Sequence, residues 1–194
     1  AAASRGLRLV VTLYDLIPLI RPTTLESPAA KAWYERKLES LRRADLFLAI
    51  SDHSRAEAIA TAGLAAENVV VVSAAADPCF RVLAPRIEAV QALRARHGIL
   101  GDYVLYAGGY DPRKNVVHLI AAFAALDTEM RRRYSLVLAG SIDDRQRREL
   151  LRCAEQHRLS AADVLFTGYI DDDELALLYN VCAVFVFPSL HEGF

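Results

Sequence analysis

Cysteine is scarce in this chain. Cys79, Cys153 and Cys182 are odd in number, widely spaced and form no CxxC pair, which excludes a disulfide framework and gives no sign of a cysteine-based zinc site. They read as buried or half-buried thiols in a reducing compartment. Charge of one sign is also missing. Lys and Arg total 23 against 24 Asp and Glu, for a formal net charge of -1, so no basic excess points to nucleic acid. Long hydrophobic runs are absent too. The apolar runs, such as Val184–Phe187, are short and fall far below the roughly 18–20 residues of a membrane-spanning helix. The start, Ala1 to Gly6, has no apolar core of a signal peptide. No internal repeat or low-complexity tract is present, and neither a GxxxxGK[ST] nor a GxGxxG motif occurs.

What is there is ordinary for a soluble globular protein, 54% hydrophobic and 24% charged in 194 residues. Short apolar runs alternate with amphipathic stretches, the pattern of a parallel α/β sheet. Strands are expected at Leu7–Leu13, Leu46–Ile50, Val69–Val72, Tyr103–Ala107, Tyr134–Ala139, Val164–Thr167 and Val184–Phe187. Several are nearly continuous Val, Leu, Ile and Phe, as strands buried on both faces require. Ala30, Trp33, Tyr34, Leu38 and Leu41 share one helix face, Ser54-Arg-Ala-Glu57 reads as a capping box, and Val116, Leu119, Ile120 and Phe123 form a stripe. Leu175, Leu178, Tyr179 and Cys182 form another. The arginine-rich run from Arg145 to Arg158 reads as a solvated helix surface. The rhythm breaks over residues 73–84, which read as an interdomain connection, giving two α/β domains over residues 1–80 and 81–194.

Ligands of open parallel sheets bind beyond the carboxyl ends of the strands, so the segments after each strand carry the argument. Gly108 and Gly109 allow a tight turn and a close backbone approach. Pro112 then leads into Arg113 and Lys114, expected in the opening turn of a helix. Two cations beside free N–H groups make an anion-seeking site, with Arg offering a two-pronged grip on phosphate and Lys a mobile point charge. The alternative is a solvent-facing pair near a turn. After the last strand, Pro188–Phe194 gathers Ser, His, Glu and Gly. His191 and Glu192 admit a metal or an acid–base pair, though no HExxH occurs, and Glu192 suits paired hydrogen bonds to sugar hydroxyls.

Other groupings read as structural. Ser51, Asp52 and His53 are adjacent, so they cannot meet as a triad, and Ser51 to Ser54 suit helix capping. Asp171, Asp172 and Asp173 place negative charge at a helix start. Trp33 reads as packing, with stacking on an acceptor sugar as the alternative.

Taken together, the segments resemble the retaining GT-B glycosyltransferases of family 4, especially their mannosyltransferase-like members. The resemblance rests on Tyr103-Val-Leu-Tyr-Ala-Gly-Gly-Tyr-Asp-Pro-Arg-Lys-Asn115, Leu136-Val-Leu-Ala-Gly140, Val164-Leu-Phe-Thr-Gly168, Asp173-Glu-Leu175, Leu178-Tyr179 and Phe187-Pro-Ser-Leu-His-Glu-Gly-Phe194, in that order. In the first half, Asp15-Leu-Ile-Pro18 and Ile50-Ser-Asp-His-Ser54 resemble the end of the family's acceptor-side domain. Three features depart. Tyr14-Asp15 stands where the family often has His-Asp, and Ala74-Ala-Ala-Asp77 where Asn-Gly-Val-Asp is usual. The second glutamate of the family's E-x7-E pair is missing from these 194 residues.

The resemblance implies a GT-B fold of two Rossmann-like parallel-sheet domains, both incomplete here. Residues 1–80 would close the acceptor-side domain and residues 81–194 open the donor-binding one. It implies transfer of a hexose such as mannose from a nucleotide-diphosphate sugar to a glycan or lipid-linked acceptor, with retention and without a metal or other cofactor. The alternative is a truncated or degenerate module that binds a nucleotide sugar or a protein partner without turnover. Arg113 and Lys114 would hold the donor diphosphate and Glu192 the donor sugar. Gly193 and Phe194 would offer backbone donors beside His191, and Gly140 with Gly168, Tyr169 and Ile170 would flank the nucleoside. Tyr14 and Asp15 would face the acceptor. A cytoplasmic protein is implied, with peripheral association at the inner membrane face open to its full-length form, and the 194-residue piece alone is expected to be inactive.

Overall fold

The computed structural model describes residues 6–22, 25 and 27–194. The start of the chain read above for a signal peptide lies, Gly6 apart, outside them. Two compact units form, one of Ala1–Ala75 with His191–Phe194, the other of Ala76–Leu190. All seven expected strands are present, and every pairing between them is parallel. Among the described residues no helix is long and apolar enough to cross a membrane.

In the first unit, β1 (Val10–Leu13), β2 (Leu46–Ala49) and β3 (Val69–Val71) pair in the order β1-β2-β3. Leu13, Phe47, Ala49 and Val69 supply the sheet side of the core, and Ala58 and Leu64 close it from the helical side. After β1 comes the short helix α1 (Ile17–Ile20), its Ile17 N–H held by the Asp15 carboxylate at 3.0 Å. Helix α2 (Pro28–Leu41) starts at Ser27, whose hydroxyl accepts from Ala30 N–H, with Pro28 pre-set in its first turn. Its apolar stripe is only partly used. Leu38 and Leu41 pack against the core, whereas Trp33, expected inside, is 53% exposed with Lys37 Nζ 5.4 Å above its ring.

Helix α3 (Asp52–Ala62) begins earlier than the capping box suggested. Ser51, in extended backbone, is the N-cap and accepts from Ser54 N–H, and the helix ends on Gly63. Ser54 therefore lies inside the first turn, and Glu57 is freed from the cap.

In the second unit the order is β6-β5-β4-β7, with β4 (Asp102–Ala107), β5 (Tyr134–Ala139), β6 (Val164–Gly168) and β7 (Val184–Phe185). Side chains alternate across the central strands. Tyr106, Leu136 and Leu138 face α5 (Val116–Ala124) and α7 (Asp144–Gln156) through Ile120, Phe123, Leu150 and Cys153. Tyr103, Leu105, Val137 and Ala139 pack on the other side with Leu93 of α4 (Ile87–His97) and Leu178 of α8 (Asp172–Val181). Burial on both faces is why these strands read as unbroken apolar runs. Each large side chain so buried contributes about 1.5–3 kcal/mol. The helix α6 (Thr128–Arg133) is capped by Asp127, α7 by Asp143 and α8 by Asp171. The arginines of α7 face water, apart from Arg147 over the Phe166 ring.

The units part at Ala75, within the expected connection but before residue 80. Asn180 of α8 gives a reason. Its side chain accepts from Leu83 N–H at 2.8 Å and donates to the Arg81 carbonyl at 3.0 Å, so the stretch after Ala75 folds with the second unit. His191–Phe194, expected in the second domain, group with the first unit because the Gly193 carbonyl accepts from Ser51 and Ser54 hydroxyls, both at 2.5 Å.

Candidate functional site

The second unit gathers its expected site residues at the carboxyl ends of β4, β5 and β6. Gly108 N–H donates to Ala139 carbonyl and Gly140 N–H to Gly168 carbonyl, both at 3.2 Å, so three strand ends are tied into one rim. Gly140 has φ +127°, and a Cβ there would stand 2.7 Å from the Gly108 carbonyl oxygen. Only a residue without a side chain allows that approach. The Tyr106 hydroxyl donates to the Gly109 carbonyl, fixing the start of the glycine turn. Tyr110 packs near Tyr106 with ring centroids 5.9 Å apart, and burial pushes its phenol up. Tyr169 projects from the rim, 80% exposed, while Ile170 packs on the core.

Arg113 and Lys114 stand on this rim, but not in the opening turn of α5. They occupy a separate 3-10 turn, Pro112–Lys114, and Asn115 then takes a left-handed conformation (φ 62°) before α5 begins at Val116. The break has a cause. Asn115 Nδ2 donates to Pro188 carbonyl at 3.1 Å, and Leu190 N–H donates to Arg113 carbonyl at 2.9 Å. The turn is thus clamped from both sides by the segment after β7. Arg113 Nε lies 3.4 Å from an Asp111 carboxylate oxygen, and Lys114 Nζ sits 5.1 Å over the Phe187 ring. Arg113 and Lys114 thus stand on a preorganised turn beside a rim lined by glycine backbone.

The first unit holds the other group. Gly193 is buried, and a Cβ on it would collide with the Tyr14 carbonyl and stand 2.7 Å from Asp15 Cβ. The terminal segment therefore lies directly on the β1–α1 turn, bringing Tyr14, Asp15 and Gly193 together. Tyr14 and Phe194 are 66% and 74% exposed. Glu192 is half-buried.

His191 has partners the sequence reading missed. Its Nε2 lies 2.7 Å from Glu57 Oε1, and His53 Nε2 lies 3.1 Å from the same oxygen. The signal was available as the i, i+4 spacing of His53 and Glu57 on one helix face, but the capping-box reading assigned Glu57 elsewhere.

A family model described as glycosyl transferases group 1 matches residues 91–194. The chain belongs to the group 1 glycosyltransferases. Across almost its whole length it is similar to members from Escherichia coli. It is 38% identical to a serotype-specific mannosyltransferase, WbdA, over 95% of this chain and 23% of that protein. It is 30% identical to O-antigen chain mannosyltransferase B, over 96% of this chain and 48% of that one. The chain thus spans about a quarter to a half of these relatives. Among solved structures, Anabaena Alr3699/HepE in complex with UDP and glucose superposes with a TM-score of 0.74 at 22% identity, over 96% of this chain and 48% of that one. WaaG, a glycosyltransferase involved in lipopolysaccharide biosynthesis, gives 0.71 at 18% identity, over 98% and 55%. The fold is the α/β, parallel-sheet architecture of the GT-B glycosyltransferases.

Proposed function

We propose that this group 1 glycosyltransferase takes a hexose, mannose in the first instance, from a nucleotide-diphosphate sugar and delivers it to a growing glycan or lipid-linked saccharide. The observation that carries the reading is the clamped turn of Arg113 and Lys114 beside the Gly108–Gly140–Gly168 rim. Breaking the donor bond leaves negative charge on the diphosphate, and fixed cations meet that charge without reorganising. Arg113 offers parallel N–H donors and Lys114 a point charge. Gly109 lets the backbone close on the phosphates, and the Gly168–Tyr169–Ile170 turn with Gly140 flanks the nucleoside. Glu192 accepts from the donor-sugar hydroxyls, with the Gly193 and Phe194 backbone and His191 next to it in the chain. Tyr14 and Asp15 face the acceptor.

Retention of configuration, membership of family 4 and metal-independent donor cleavage belong to the same proposal, as does a cytoplasmic site of action at the inner membrane face. Mannose and an O-antigen type of acceptor are favoured by the likeness to the mannosyltransferase WbdA and to O-antigen chain mannosyltransferase B. A second reading, nucleotide-sugar binding without turnover, draws on Tyr14 standing where the family often carries histidine. The test is a transfer assay with the full-length protein and a panel of labelled nucleotide sugars. Transfer that falls about 100-fold or more in Arg113→Ala/Lys114→Ala supports the proposal. Donor binding without transfer favours the second reading, and transfer indifferent to the double substitution refutes the assignment.

A further inference from the structure

His53, Glu57 and His191 each present one ligand atom, and these atoms all lie within 4.8 Å of one another. From this cluster we infer a zinc site that fastens the His191–Phe194 segment to α3. His53 and Glu57 come from successive turns of one helix, so their side chains share a face by construction. His191 arrives from far along the chain, carried by the segment whose Gly193 carbonyl is already held by Ser51 and Ser54. Two imidazole nitrogens and one carboxylate oxygen are the donors zinc takes when three protein ligands leave a fourth position to water.

Two features point to a cation rather than to a plain hydrogen-bonded trio. The Nε2 atoms of both imidazoles lie close to the same oxygen, Glu57 Oε1, at 3.1 and 2.7 Å. The other oxygen, Glu57 Oε2, is buried and has no hydrogen-bond partner among the described residues. Leaving a carboxylate oxygen dry and unpaired is costly. A divalent ion between the three side chains satisfies the carboxylate and takes the lone pairs of both imidazoles. Tetrahedral zinc, with bonds of about 2.0–2.1 Å to nitrogen, spaces its donors about 3.4 Å apart, so a small outward shift of the side chains seats it. Glu57 and His191 keep only 12% and 13% of their side-chain surface exposed, while His53, at 56%, opens the route of entry.

The ion has a structural role here. It ties His191 down and so fixes the backbone on which Glu192 stands. This inference does not depend on the proposed donor or acceptor, and it concerns Glu57 and His53, which that proposal leaves without a role.

The experiment is isothermal titration of untagged, chelator-treated protein with zinc chloride, and with cobalt chloride to read the visible spectrum of a tetrahedral site. Wild type is compared with His53→Ala and Glu57→Gln. A single saturable site is expected, with tetrahedral cobalt absorption and a thermal transition raised by zinc. Either substitution should weaken affinity by about tenfold or more. His53 is exposed, so His53→Ala keeps the fold, and its metal-free melting point checks this. No zinc binding by wild type, or equal affinity in wild type and His53→Ala, overturns the assignment. Equal binding in both variants would also show that any bound zinc sits on other groups, such as the free thiols.

Discussion

Replacing Gly140 with alanine tests the rim on which the proposed donor site is built. Two costs arise from separate causes. At φ +127° an alanine sits in backbone that L-residues rarely adopt, at roughly 1–3 kcal/mol. Its Cβ would also stand 2.7 Å from the Gly108 carbonyl oxygen and 3.6 Å from the carbonyl carbon. Backbone atoms in a paired strand end cannot swing away as a flexible side chain does, so overpacking adds roughly 1–3 kcal/mol. The sum is about 2–6 kcal/mol, which for a chain of this size lowers Tm by roughly 5–15 °C. Gly109→Ala is the internal control. It lies in the same turn, but its nearest foreign atom would be an Asp111 side-chain oxygen at 3.7 Å, so its expected cost is within about 0.5 kcal/mol. Thermal and urea unfolding followed by circular dichroism read both. Gly140→Ala should also weaken nucleoside diphosphate binding, because the Gly108 carbonyl must move. If the two variants melt together, the close approach of β4 and β5 ends is not what requires glycine, and the reasoning fails.

Two further outcomes follow from local contacts. Ser51→Ala removes both the α3 cap and one of the two hydroxyls on the Gly193 carbonyl, and should cost about 1–2 kcal/mol in urea unfolding; an unchanged midpoint contradicts the cap assignment. Tyr103 is fully buried, its hydroxyl donates to Leu178 carbonyl at 2.8 Å, and burial holds its phenol well above the usual range. The folded state therefore keeps a proton that the unfolded chain loses above about pH 10, so stability is full below that pH and falls as pH rises through the alkaline range. Tyr103→Phe should lower stability by about 1 kcal/mol at neutral pH yet flatten this alkaline decline. An alkaline decline as steep as wild type refutes the linkage.

Much of the fold was legible because its cues are local. The strands of the second unit are continuous apolar runs, and Val116, Leu119, Ile120 and Phe123 recur with the helical period, so each element announced itself. Asp171 at the start of α8 likewise follows from chemistry within one turn. The errors came where distant segments decide. Arg113 and Lys114 sit in a 3-10 turn because Pro188 and Leu190 hold it there, and no local pattern near Arg113 encodes that clamp. Ser54-Arg-Ala-Glu57 has the letters of a capping box, but Ser51 caps the helix instead, and Ser54 and Glu57 turn to the chain's last residues. Trp33 has core spacing on α2, yet it stays 53% exposed and, among the described residues, is not part of the core packed against that helix. The glycines and the basic pair could be named as site candidates from sequence, but their meeting at one rim depends on the strand order.

The proposed hold of Arg113 and Lys114 on a diphosphate is open to direct measurement. Titration calorimetry with GDP, UDP and ADP tests it most directly, comparing wild type with Arg113→Ala/Lys114→Ala. At least one nucleotide is expected to bind wild type, and the double variant to lose about tenfold or more in affinity, the worth of a charged hydrogen bond to phosphate. Equal binding by the two proteins would contradict it.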